Sequence, residues 1–202
     1  GNTTQGAGYA DITTDDKYSY FYWWSESSVS PSTDPLVLWL TGGPGCTSTL
    51  AMATENGPCR FDLETGEVKF NPYSWTGNPN AKAGANVIWV DDIVGAGFTT
   101  GPKDLTNEHE VAANLLAFLH AFIAAHPSME GRDLYLTGES YGGHYLSSLS
   151  LAVVHEGKLP LKGVMIGNGL VSPQTLSASY PHAVWEYAAQ SNIVGKHVVT
   201  EQ

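Results

Sequence analysis

The chain has 202 residues, 42% of them hydrophobic, enough for one globular domain with a core of its own. Twenty acidic against nine basic residues give a formal net charge of −11; with no basic patch to neutralise phosphates, nucleic acid is excluded as a partner. No apolar run reaches the length of a membrane span, the lack of a leader before Gly1 fits a processed chain and a cytosolic one alike, and two cysteines, Cys46 and Cys59, do not decide the compartment.

Residues 9–12 and 18–24 are aromatic and β-prone and read as an early antiparallel meander. The runs 36–40 and 86–90 are continuous, apolar and end on turn residues, as buried parallel strands do; 134–136 and 164–166 repeat that form. Residues 62–69 read as a small hairpin around Thr65-Gly66. The clearest helix spans 107–126, with Val111, Leu115, Phe118, Leu119, Phe122 and Ile123 on one face, Asn107 and Glu110 as a capping pair, and Pro127 closing it. Further helices are expected over 144–154 and 183–190. Such alternation calls for an α/β sheet with right-handed crossovers. Asn2-Thr3-Thr4 has the form of a glycosylation acceptor.

The chemistry concentrates in Gly138-Glu139-Ser140-Tyr141-Gly142. Gly-x-Ser-x-Gly alone is a common pattern, but here an apolar strand leads in and a helix follows, the context in which a sharp turn exposes a serine Oγ above a sheet. The unpaired N–H groups of that helix's first turn suit an oxyanion. Gly42-Gly43-Pro44-Gly45 follows another buried strand, where this arrangement draws the second half of an oxyanion hole. A nucleophilic serine needs a base and an orienting acid. His144 sits in the elbow helix and projects along it, His155 ends that helix, His182 and His197 flank a helical segment, and no aspartate follows Asp133. Asp91 and Asp92, at a strand exit, read as residues that cap a turn and position the loop 94–98. Trp39, Trp75 and Trp89 read as core or pocket wall.

Taken in order, residues 39–48, Glu55-Asn56-Gly57-Pro58, Asn71-Pro72-Tyr73-Ser74-Trp75, Ala85-Asn86-Val87, residues 94–98, 138–145 and 166–169 resemble the serine carboxypeptidase family, from about Gly8 to the C-terminus. The resemblance implies an α/β-hydrolase fold: a central, mostly parallel sheet with antiparallel N-terminal strands, ending before the family's cap domain and C-terminal half. Residues 1–178 would form the core part and 179–202 the start of the helical cap. It implies Ser140 as the acylated nucleophile, Gly43 and Tyr141 as oxyanion donors, and Glu139 and Glu55, with Thr41 where the family has asparagine, as the grip on a peptide's terminal carboxylate. Two adjacent carboxyls favour a protonated form that donates to that carboxylate, which suits acid and thus lysosomes, vacuoles or secretion.

No metal or cofactor is implied. The partners implied are a peptide substrate and a companion chain or further segment carrying the catalytic Asp and His; a homodimer also fits. In the family Cys46 bonds a later cysteine; a Cys46–Cys59 bridge is the alternative within this chain. Thr41 is also found in acyltransferase-like members, so acyl transfer to an alcohol stands beside peptide hydrolysis. A non-catalytic subunit that keeps the fold is the reading from outside enzymology.

Overall fold

The computed structural model describes residues 3–12, 18–62, 64–78 and 80–191, with backbone alone for 188–191; Asn2 and His197 lie outside these. Two compact units divide the chain, Gly1–Gly169 and Leu170–Gln202.

In the first unit, alternating burial builds the sheet. β1 (Gln5–Asp11) and β2 (Ser19–Ser25) form the expected antiparallel pair with Tyr9 opposite Phe21, β1 beginning earlier than its aromatic residues suggest. The apolar runs β3 (Leu36–Leu40) and β6 (Asn86–Val90) are buried at every position. β4 (Cys59–Phe61) and β5 (Val68–Phe70) make the hairpin expected around Thr65-Gly66, with Gly66 at φ +72°. With β7 (Leu134–Glu139) and β8 (Leu161–Gly167) the main sheet runs β1-β2-β6-β3-β7-β8; β2 meets β6 antiparallel, and β6, β3, β7 and β8 are mutually parallel.

Because neighbouring side chains in a strand face opposite ways, β3 and β6 divide their residues between two cores. Leu36, Leu38, Leu40, Ile88 and Val90 pack with α2 (Glu108–Ala125) and α3 (Gly142–Glu156) through Leu115, Phe118, Phe122, Leu146 and Leu149. Val37, Trp39, Val87 and Trp89 face the other way, onto Ala51 and Met52 of the short α1 (Thr49–Thr54). The Asn107 side chain caps α2 by accepting from the N–H of His109 and Glu110, both at 3.1 Å. Glu110 reaches back one residue further than a capping box requires, accepting from the N–H of Thr106 at 2.6 Å.

Three expectations need correction. β8 is not a buried strand: among the described residues it pairs only with β7, and Met165 is 49% exposed. Its apolar composition is that of a central strand while its place is at an edge. In the second unit α4 runs over Pro173–Ser191, starting ten residues before the expected point because Pro181 lies inside it and does not end it. Cys46 and Cys59 are both free thiols, so no bridge joins them.

Candidate active site

β3 and β7 are parallel neighbours with Leu40 opposite Gly138, so the loops that leave them emerge side by side at the sheet's C-terminal edge. One loop is the elbow. Ser140 has φ +53°, in the left-handed region, and is exposed between β7 and α3. Its N–H donates to the Gly167 carbonyl at 3.0 Å, and its carbonyl accepts from the Gly143 N–H at 3.0 Å, which holds the bend. Close approach explains the glycines: a Cβ on Gly138 would stand 2.3 Å from the Leu40 carbonyl oxygen, and one on Gly142 2.8 Å from the same atom.

The other loop meets the elbow directly. A Cβ on Gly42 would lie 2.3 Å from the Tyr141 nitrogen and 2.9 Å from Ser140 Cβ. Gly43 follows at φ +115°, and the turn closes with the Cys46 N–H donating to the Gly42 carbonyl at 3.1 Å. Among the described residues neither the Gly43 nor the Tyr141 N–H donates a hydrogen bond.

Asp91, at the end of β6, locks what comes next. Its Oδ1 accepts from Thr47 Oγ1 at 2.6 Å and the Ser48 N–H at 2.9 Å, while Oδ2 accepts from the Phe98 N–H at 3.0 Å. It thus positions the loop 94–98, as expected of it, and the start of α1 as well. Asp92 behaves differently. It is fully buried, its carboxyl is pushed well above the ordinary range by burial and then by Glu108, and neither oxygen finds a hydrogen-bond partner.

Glu55 caps the C-terminal end of α1, within electrostatic reach of Glu139. Burial, then the Glu139 charge, raise the Glu55 carboxyl above its ordinary value, with Arg60 opposing. Its loop is fastened through the main chain: Asn71 Nδ2 donates to the Glu55 and Gly57 carbonyls, each at 2.8 Å. Asn56 Oδ1 accepts from Trp89 Nε1 at 2.8 Å. Thr41 is 7% exposed; its Oγ1 accepts from Trp39 Nε1 at 3.0 Å, which leaves its own proton to donate. Trp39 and Trp89 are core, whereas Trp75, edge-on to Trp39 at 5.1 Å, is a half-exposed wall.

Within the described part of the first unit no side chain hydrogen-bonds the Ser140 hydroxyl. His144 turns its ring onto Tyr141 at 4.9 Å, and His155 is exposed near the end of α3. In the second unit His182 pairs with Glu186 at 3.3 Å.

Three residues that shape the site were not singled out from sequence. Gly42 belongs to the Gly-rich turn, in which the sequence assigns a role to Gly43 alone. Asn71 carried a signal, the Asn-Pro turn, but its target in space is not a sequence property. Glu108 accepts from the Tyr141 hydroxyl at 3.0 Å across two helices, and no local pattern announces that.

The family model for serine carboxypeptidases matches residues 1–200. The chain belongs to that family. It is 38% identical over 192 residues to carboxypeptidase Y of Komagataella phaffii, covering 94% of this chain and 35% of that protein. It is 37% identical to a serine carboxypeptidase family member of Dictyostelium discoideum, covering 99% of this chain and 49% of that one. The crystal structure of a prohormone-processing carboxypeptidase from Saccharomyces cerevisiae superposes with a TM-score of 0.80 at 25% identity, over 96% of this chain and 44% of that chain. The fold is that of the α/β-hydrolases, and this serine carboxypeptidase chain spans less than half the length of each of these relatives.

Proposed function

We propose that the chain is the nucleophile-bearing part of a serine-type carboxypeptidase that removes C-terminal residues from peptides in acid. The observation that carries this is the contact of the Gly42 turn with the elbow, 2.3 Å from a Gly42 Cβ to the Tyr141 nitrogen, beside an exposed Ser140. Ser140 Oγ attacks the last peptide carbonyl, and the N–H groups of Gly43 and Tyr141 receive the developing oxyanion. The C–N bond then breaks, the amine leaves with the serine's proton, and water releases the acyl group from Ser140. Glu55, its proton held by burial and by Glu139, donates to the substrate's terminal carboxylate, with Thr41 alongside.

The base that takes the serine's proton, and the acid that orients it, come from a further segment or companion chain. β8 is the natural seat for it: the strand has an unpaired edge among the described residues and exposes Val164 and Met165. Action in acid would suit a lysosome-like or vacuolar compartment or the secretory pathway. No helix of the described residues is long and apolar enough to cross a membrane.

A fluorophosphonate probe applied to the native material, followed by release of C-terminal amino acids from peptides at acid pH, tests this. Labelling at Ser140 with acid-dependent release, both lost in Ser140→Ala, is expected. No labelling of a folded protein with its companion segment present sinks the reading in favour of a non-catalytic subunit. Thr41 supports a second reading, acyl transfer to an alcohol; acyl-ester donor consumption that depends on an added alcohol, without peptide cleavage, would establish it.

A further inference from the structure

At the end of the strands opposite Ser140, a hollow of about 330 Å³ opens between the first residues of β3 and β7, the last turns of α2 and the loop from α3 to β8. Its floor is apolar: Leu36, Met129 and Leu134 are each buried, and the half-buried Leu159 and Pro160 close one side. Main-chain bonds fasten the walls, the Leu36 N–H donating to the Asp133 carbonyl at 2.9 Å and the Leu134 N–H to the Pro160 carbonyl at 3.0 Å. The sheet itself therefore sets the shape of the hollow. A volume at the low end of the range of about 300–1,000 Å³ for small-molecule sites limits the occupant to a small one.

The rim is basic, in a chain with only nine Lys and Arg: His120 comes from α2, Arg132 from the turn before β7 and Lys158 from the loop before β8. Glu156 fixes two of them, with His120 Nε2 at 2.9 and 3.0 Å from its oxygens and Lys158 Nζ at 3.2 Å from Oε1. Arg132 is held differently. Its Nε donates to the Ser128 carbonyl at 3.1 Å, and among the described residues its two Nη groups meet no acceptor. Glu130 on the same rim offsets part of the positive charge, so a singly charged head is matched better than a phosphate dianion. An apolar floor beneath an open guanidinium fork is complementary to an aliphatic chain that ends in a carboxylate. We propose that this hollow binds a free medium-chain fatty acid, its chain on Leu36, Met129 and Leu134 and its carboxylate across the Arg132 Nη groups with Lys158 beside it. The planar fork takes a carboxylate through two parallel hydrogen bonds, and each methylene buried adds about fourfold in affinity. The site stands whether or not Ser140 is the nucleophile, since it shares no residue with the elbow.

Calorimetric titration of the full native protein with decanoate at neutral pH, where the carboxylate is charged, should show one molecule bound per chain and a raised thermal midpoint. Hexanoate, which is shorter, and decanol, which lacks the charge, should each bind roughly tenfold more weakly or worse. Arg132→Met should weaken decanoate about tenfold, and Leu159→Trp, which fills the hollow from its half-buried side, should abolish binding. Both variants should leave fluorophosphonate labelling of Ser140 as it is, and Arg132→Met alone decides the matter if Leu159→Trp does not fold. Failure of decanoate to bind, or equal binding by the Arg132→Met variant, overturns the proposal. Inorganic phosphate that competes as well as decanoate would show an anion site only, and decanol that binds as tightly as decanoate would show an apolar hollow only; either result overturns it too.

Discussion

Gly42→Ala is the sharpest test of the two-loop site, since it adds one methyl group between the loops and nothing else. That Cβ would fall 2.3 Å from the Tyr141 nitrogen and 2.9 Å from both the Glu139 carbonyl oxygen and Ser140 Cβ. All three belong to the elbow and two are backbone atoms, so no side chain can swing aside. Restoring a contact of about 3.4 Å to the nitrogen requires the loops to part by about 1 Å. Overpacking of this kind costs about 1–3 kcal/mol of stability, and a displacement of about 1 Å at a reacting centre costs on the order of a hundredfold in rate. The assay is the rate of fluorophosphonate labelling at Ser140, paired with a urea denaturation midpoint to separate misalignment from unfolding. Gly45→Ala is the control: its Cβ meets nothing within 4 Å but its φ is +82°, so it should cost about 1–2 kcal/mol and leave labelling within a few-fold. Gly42→Ala that labels at the unsubstituted rate with an unchanged midpoint would refute the convergence of the two loops.

Glu55 is raised by burial and by Glu139, so its stabilising contribution is whole below the ordinary glutamate value and lost as pH climbs through the raised one. Glu55→Gln should flatten stability against pH across the acid range, read from denaturation midpoints; parallel curves for the two proteins would contradict that. Asn71→Ala strips partners from two carbonyls held at 2.8 Å by a fully buried side chain and should cost about 2–4 kcal/mol by urea denaturation, whereas a loss under 1 kcal/mol would show the loop to be held otherwise. Gly97→Ala would place its Cβ 1.9 Å from Asp91 Oδ2 at φ +50°, so it should lower the thermal midpoint more than Gly45→Ala; an equal or smaller drop would mean that the Asp91 lock yields easily.

The strands and the elbow were legible because local pattern decides them. Continuous apolar runs in β3 and β6 and a serine between glycines after β7 carry their own explanation. What escaped reading depends on partners far along the chain. β8 is as apolar as its neighbours, yet its exposure is set by its place in the sheet. A helix was legible over 183–190 but not its start at Pro173, because the hydrogen bond lost at Pro181 does not outweigh a helix that continues on both sides. Asp91 and Asp92 are adjacent and chemically identical, and only the fold shows that one gathers donors from two loops while the other meets none.

Asn71 grasps residues 55 and 57 by their carbonyl oxygens and leaves the side chain at 55 untouched. The fastening is thus indifferent to what position 55 displays. The residue shown there can be exchanged, in evolution or by engineering, without unpicking the framework that presents it.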